Sequence, residues 1–276
     1  MLEEILKQII AEKKQQGLSH AVIINFLREY IQYLTLNLIY NQKKYRSMIF
    51  KGGSCLRICF KMPRLSEDLD FDYDKKKLGG NLIGELKEYI SKEIKTKYFL
   101  PLETTRQSNT RLYLKFPFLR ALNLAKMGES AKLYVKVETS DQIEPYAGFE
   151  VTPISEYGFN FVVRHYDLPT LMAGKINAFL FRLWFKGEKQ EIDIKGRDFY
   201  DLYWYFDKGV KPNWKTLKKM TGIANEKQLK SRLFSRIKKV VTPKKLSYDL
   251  KNFFPDQVFV SDFSRNYLEI IKKYLK

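Results

Sequence analysis

The chain has 276 residues, 45% of them hydrophobic, which suits one large domain or two smaller ones and excludes a disordered chain. Fifty Lys and Arg against 31 Asp and Glu leave a formal charge of +19, a field that draws polyanions: nucleic acid first, an anionic membrane second, an acidic protein third. No apolar run approaches the ~20 residues of a membrane span, and Glu3 and Glu4 break any signal-peptide layout, so a cytoplasmic protein without membrane association is expected.

Leu2, Ile5, Leu6, Ile9 and Ile10 recur at helical spacing and predict a helix over 2–16, closed by Gly17. Ser19 is the cap of a longer helix to about Tyr40, with Val22, Ile23, Phe26, Leu27, Tyr30 and Leu34 on its apolar face. Ser47–Phe50 reads as a short strand leading into Gly52 and Gly53. These two glycines reach backbone conformations closed to other residues and let a phosphate approach main-chain amides. Ser54 offers a hydroxyl, either to a phosphate oxygen or as a cap for the short helix that follows. Arg57 on that helix points either at phosphate or into a structural salt bridge. Cys55 and Cys59 are four apart on the same helix, and with two histidines in the chain they make a poor zinc site and read as buried free thiols.

Glu67–Asp74 alternates acids with apolar residues, which places Asp68 and Asp70 on one face of a strand. Two hard oxygen ligands side by side can hold Mg²⁺, which grips triphosphate oxygens. Any half-buried strand alternates in this way, but that leaves four like charges on one side without a reason. Asp72 and Asp74 share the face and read as its solvated continuation. Arg64 and Ser66 flank the acids, and the Ser66 hydroxyl either bonds the main chain or lies beside the metal.

Gly79-Gly80 breaks the pattern, and a helix is predicted over 82–95. Strands follow at 111–118 and 132–139, joined through 123–130 by a loop or long hairpin turn, with others near 149–153 and 159–163. The alternation in 132–139 puts Tyr134, Lys136 and Glu138 on one face. From Asp167 onward the periodicity is helical, so a boundary is set there: residues 1–165 form one domain and 166–276 a helical bundle whose last helix spans 261–276. Asp167 and Pro169 open a helix carrying Lys175, and Asp198 and Asp201 lie one turn apart on another. Basic and aromatic residues interleave in Phe181–Lys186 and Trp204–Lys208, which suits either base stacking or core packing. The basic run Lys227–Lys245 suits a phosphate track that ignores sequence.

Gly52-Gly-Ser54, a short helix and Asp68-x-Asp70 resemble the nucleotidyltransferase superfamily built on the polymerase-β catalytic core. The fuller set, Lys51-Gly-Gly-Ser54 with Arg64-Leu-Ser-Glu-Asp-Leu-Asp-Phe71, then Leu168-Pro169, Lys175 and Arg197-Asp198-x-x-Asp201, resembles the narrower AbiEii/AbiGii toxin family over residues 47–205. The resemblance implies an α+β fold, a polymerase-β-like domain with a mixed sheet and flanking helices followed by a helical bundle. It selects Asp68 and Asp70 as metal ligands, with Glu138 as the third and Asp141 as a weaker substitute. It makes Gly52, Gly53, Ser54, Ser66 and Lys175 nucleotide-binding, and Asp198 the group that orients Lys175, the base or the acceptor. The implied reaction is Mg²⁺-dependent transfer of a nucleoside monophosphate from an NTP to an acceptor hydroxyl. The tRNA 3′ end is the acceptor expected, in a toxin–antitoxin or abortive-infection system with a cognate antitoxin protein. The rivals are nucleotidylation of a protein or small molecule, and a non-catalytic RNA-binding protein.

Overall fold

The computed structural model describes residues 2–188 and 191–276, which fall into two units, one ending at His165 and lacking 144–148, the other holding Glu144–Gly148 and Tyr166–Lys276. The first unit runs α1 (Leu2–Gln15), α2 (His20–Asn41), β1 (Ile49–Lys51), α3 (Gly52–Phe60), β2 (Asp68–Asp72), α4 (Lys75–Leu78), α5 (Leu82–Tyr98), β3 (Glu103–Gln107), β4 (Arg111–Phe116), β5 (Leu133–Ser140), β6 (Phe149–Glu156) and β7 (Phe159–Tyr166). The strands form one mixed sheet in the order β3-β4-β5-β2-β1-β7-β6. β1 runs antiparallel to β2 and parallel to β7, while β2 runs parallel to β5. This is the α+β architecture that strands followed by helical periodicity lead one to expect.

The sequence dictates most of these elements locally. The Ser19 hydroxyl accepts from Val22 N and starts α2, which is apolar on nearly every side and buried accordingly, with Leu27, Ile31 and Leu34 wholly enclosed. β5 buries Leu133, Val135 and Val137 and turns Tyr134, Lys136 and Glu138 the other way. β4 and β5 pair antiparallel from Phe116↔Leu133 to Arg111↔Glu138, so the 123–130 link is the turn region of a long hairpin. Tyr157 and Gly158, both at positive φ, join β6 to β7 in the manner of a two-residue hairpin turn. Two elements escape the sequence pattern. β3 is a polar, exposed edge strand, and α4 is a four-residue turn capped by Asp74.

The second unit comprises α6 (Leu168–Phe181), α7 (Gly196–Asp207), α8 (Trp214–Thr221), α9 (Glu226–Val240), α10 (Pro243–Leu250) and α11 (Gln257–Leu275). Side-chain caps open most of them: Asp167 accepts from Thr170 N, Asn213 from Thr216 N, Asn225 from Gln228 N and Thr242 from Lys245 N. Asp256 caps α11, so this helix starts before the expected residue 261. Segment 144–148 belongs here because Gly148 N donates to Thr170 Oγ1 at 3.0 Å and Asn213 Nδ2 to the Tyr146 carbonyl at 2.6 Å. The core is aromatic: Tyr200 meets Phe254 at 4.7 Å and Phe263 at 5.4 Å between centroids, and Tyr267 donates to the Phe199 carbonyl.

Candidate active site

The first unit gathers its chemistry where β1 passes into α3 beside β2. Gly52 has φ +79°, and a Cβ built there would lie 2.2 Å from Asp70 Oδ2. The missing side chain is therefore what lets the Asp70 carboxylate lie over the turn. Gly53 is crowded too, since a Cβ would meet Ser66 Oγ at 2.8 Å and Arg64 Nη2 at 2.9 Å. The motif is thus tightly packed, with Asp70 against Gly52 and with Arg64 and Ser66 against Gly53.

Ser54 is fully buried and donates its hydroxyl to the Asp68 carbonyl, while Gln32 Nε2 reaches Ser54 Oγ at 3.5 Å and the Ser66 carbonyl at 3.2 Å. The hydroxyl ties α3 to β2, and it does not cap the helix, because the N-cap position is Lys51. Arg57 takes the structural alternative. Its Nε lies 2.6 Å from Glu29 Oε2 and its Nη1 donates to the Met62 and Pro63 carbonyls. Arg64 is buried and donates to the Leu65 carbonyl.

Asp68 and Asp70 sit on one face of β2, and the parallel register sets Asp68 opposite Lys136 and Asp70 opposite Glu138. Burial pushes the Asp70 carboxyl up to about 6, and the Asp68 charge adds to the effect. Lys136 lies between the acids, its Nζ 3.2 Å from Asp68 Oδ2 and 2.8 Å from Glu138 Oε2. Arg111 Nη2 holds Glu138 from the other side at 3.0 Å. Burial raises the Glu138 carboxyl, but the hydrogen bonds and charges of Lys136 and Arg111 outweigh it and hold the group below its ordinary range. Glu138 is therefore beside Asp70 in register, yet bound to two cations.

A divalent cation fits this donor set. The oxygens are hard, Asp68 and Asp70 share one strand face, and an ammonium already bridges Asp68 to Glu138. Lys136 would compete with such an ion for Asp68 and Glu138. Lys136→Met should accordingly lower the cation concentration that gives half-maximal activity by about 3–10-fold, as expected for 0.7–1.4 kcal/mol of relieved competition. A cation titration of activity checks this.

Asp72 corrects the sequence reading. Its carboxylate is buried rather than solvated, and it pairs with Lys51 Nζ at 2.5 Å. Asp74 caps α4, and the exposed Asp141 pairs with Lys75 at 3.2 Å.

The second unit holds its own ionic cluster. Lys175 on α6 lies 2.6 Å from Asp201 Oδ2 and 3.3 Å from Asp198 Oδ1, both acids being buried on α7. Asp201 is thus at least as close a partner as Asp198, which the sequence favours. Asp198 also accepts from Arg182 Nη1 at 2.8 Å, a residue the motifs do not mark. Lys195, the N-cap residue of α7, is pushed down to about 8 by burial and by the cations Arg197, Lys175 and Arg182, against the pull of Asp198. The aromatic-basic segments divide. Phe181 and Phe185 are about half exposed, whereas Trp204 and Tyr205 are core. Lys227, Arg232, Lys238, Lys239 and Lys244 are exposed on and beside α9. No helix among the described residues is long and apolar enough to cross a membrane.

Comparison with known proteins bears on this arrangement. A family model described as "Nucleotidyl transferase AbiEii toxin, Type IV TA system" matches residues 34–276, well beyond the 47–205 that carry the motifs. The fold is similar to the nucleotidyltransferase toxin MenT4 of Mycobacterium tuberculosis at 15% identity and TM-score 0.55, covering 96% of this chain and 89% of that one. JHP933 of Helicobacter pylori also matches, at 21% identity and TM-score 0.43, over 88% of this chain and 93% of its own. No curated protein matches the sequence.

Proposed function

The chain belongs to the AbiEii family of nucleotidyl transferase toxins of type IV toxin–antitoxin systems, and from that premise we propose that it transfers a nucleoside monophosphate from an NTP to a tRNA 3′ hydroxyl in a Mg²⁺-dependent reaction. The observation that supports the site most directly is Asp70, lying over Gly52 and alongside Asp68 on the same strand face. Asp68 and Asp70 are the proposed metal ligands, with Glu138 joining them once Lys136 is displaced. A divalent cation bound there supplies charge neutralisation at the α-phosphate and favours ionisation of the attacking hydroxyl. Gly52 and Gly53 are proposed to offer main-chain amides to phosphate oxygens, with Ser66 beside Gly53 in the same turn. Lys175 is proposed to bind the triphosphate as a point charge, held ready by Asp198 and Asp201.

The +19 charge and the exposed lysines of α9 favour a polyanionic acceptor, and RNA is one that also offers a terminal hydroxyl. The family also implies a cognate antitoxin as partner.

The test is incubation with Mg²⁺, each α-phosphate-radiolabelled NTP in turn, and total tRNA, resolved on a denaturing gel. Label on tRNA that disappears in Asp70→Ala supports the reading and identifies the nucleotide. Label on protein would move the acceptor to a polypeptide, and label nowhere would overturn the tRNA assignment. Lys175→Ala separates two roles. It should raise the KM for NTP by about 10–100-fold, the loss of one charge-assisted phosphate contact of 1.4–2.8 kcal/mol, and leave tRNA affinity within about twofold by filter binding.

A further inference from the structure

Cys55 and Cys59 stand one turn apart on α3, and β7 brings His165 against them from far along the sequence. The two Sγ atoms and an imidazole nitrogen lie within 4.8 Å of one another, which makes this the one such trio of His, Cys, Asp or Glu ligand atoms among the described residues. We propose that Cys55, Cys59 and His165 form a binding site for one zinc-type cation, distinct from the Asp68–Asp70 pair.

Two thiolates and an imidazole are the ligands of a borderline-soft ion, and they disfavour Mg²⁺, which takes oxygen. Metal–ligand bonds of about 2.0–2.3 Å at tetrahedral angles put ligand atoms roughly 3.5–3.8 Å apart, so small side-chain rotations close the present trio onto an ion. The imidazole is already oriented. Its Nε2 lies 2.8 Å from Thr152 Oγ1, and Phe60 meets the ring edge-on at 5.1 Å between centroids. A hydroxyl on one ring nitrogen is the kind of second partner that holds metal-bound histidines in place. Cys55 and His165 are wholly buried, whereas Cys59 is partly exposed. Cys59 therefore marks the way in, and a water from that side completes four ligands.

Burial and the neighbouring Cys59 push the Cys55 thiol well above its ordinary range, so in the metal-free protein it carries its proton. Binding replaces S–H bonds by S–metal bonds and releases a proton from each thiol, so affinity tightens as pH rises. The site spans α3, which carries Gly52, Gly53 and Ser54, and β7, which pairs with β1 at Phe50↔His165. An ion there fastens the motif helix to the sheet and stabilises the fold by mass action.

The experiment uses full-length protein, reduced and stripped with a chelator, then titrated with Co²⁺ as a spectroscopic probe. A thiolate-to-cobalt charge-transfer band saturating at one ion per chain is expected, together with its loss on adding Zn²⁺ and a higher Tm with Zn²⁺. Cys59→Ser, checked for folding by circular dichroism, should lose the band and weaken Zn²⁺ binding by about tenfold or more. His165→Gln, which keeps both thiolates, should need about tenfold more Co²⁺ or beyond to reach the band and should weaken Zn²⁺ binding to the same extent. The band should persist in Asp70→Asn and in excess Mg²⁺. No band in the reduced wild type, a band unchanged in folded Cys59→Ser, or a band lost in Asp70→Asn would each overturn the site. None of these outcomes depends on nucleotidyl transfer.

Discussion

Asp70→Asn is expected to reduce nucleotidyl transfer by about 10³-fold or more, roughly 4 kcal/mol of transition-state stabilisation, while making the metal-free protein more stable. The first half follows from removing a charged oxygen ligand. The second follows from the Asp70 carboxyl, which burial and the Asp68 charge hold at about 6 instead of the usual carboxylate range. A carboxyl raised in the folded state binds more protons there than in the unfolded chain. Metal-free stability therefore falls as pH rises from about 4 to about 6, and the penalty is fully present above that window. A carboxyl displaced that far carries about 3 kcal/mol as an upper bound. Partial exposure and the need to hydrogen-bond the new amide reduce this to about 1–2 kcal/mol, or a few degrees in Tm. Chelated wild type and variant should be compared by thermal melts at pH 4.5 and pH 7.5. The variant should gain most at the upper pH, and Mg²⁺ should raise the wild type alone. Equal melting at pH 7.5 would sink the idea that the acids are held in an unfavourable charged state for a cation to relieve.

Gly52→Ala carries the second large effect, and it acts on the same carboxylate from beneath. At φ +79° any side chain costs about 1–2 kcal/mol, and the new methyl would lie 2.2 Å from Asp70 Oδ2. That oxygen ends a short, rotatable side chain, so the contact is relieved by turning Asp70 away. The fold loses little and the site loses its ligand geometry. Stability should drop by about 1–2 kcal/mol in denaturant melts, whereas transfer should fall by about 10²-fold or more, the scale set by a displacement of about 1 Å at a reacting centre. A variant that kept wild-type turnover would show that Asp70 need not lie over the turn.

The sequence makes the local parts of this molecule plain and hides the pairings between distant parts. Alternation in β2 and β5, the caps at Ser19 and Asp167, and the glycine turn are all decided by neighbouring residues, so their reading and their structure agree. Asp72 lies beyond that reach. Its burial depends on Lys51 of β1 lying across the strand boundary, and no periodicity within β2 announces a lysine on the adjoining strand. Arg182 is hidden for the same reason, since only the packing of α6 against α7 makes it a partner of Asp198. His165 is the plainest case. Cys55 and Cys59 alone argue against a metal, and the imidazole that joins them comes from β7. β3 fails differently, because an edge strand of polar residues needs no hydrophobic pattern to pair on one side.

The sheet order has a consequence for synthesis. β2, which bears Asp68 and Asp70, is held on one side by its near neighbour β1 and on the other by β5, and β1 in turn leans on β7. A ribosome-bound chain that has not yet reached Ser140 therefore carries both acids on a strand with no partner on its β5 side. Until Tyr166 emerges, β1 lacks its own second neighbour as well. Pairings of such long sequence separation form late. The frame of the two carboxylates is thus completed only by strands made well after them.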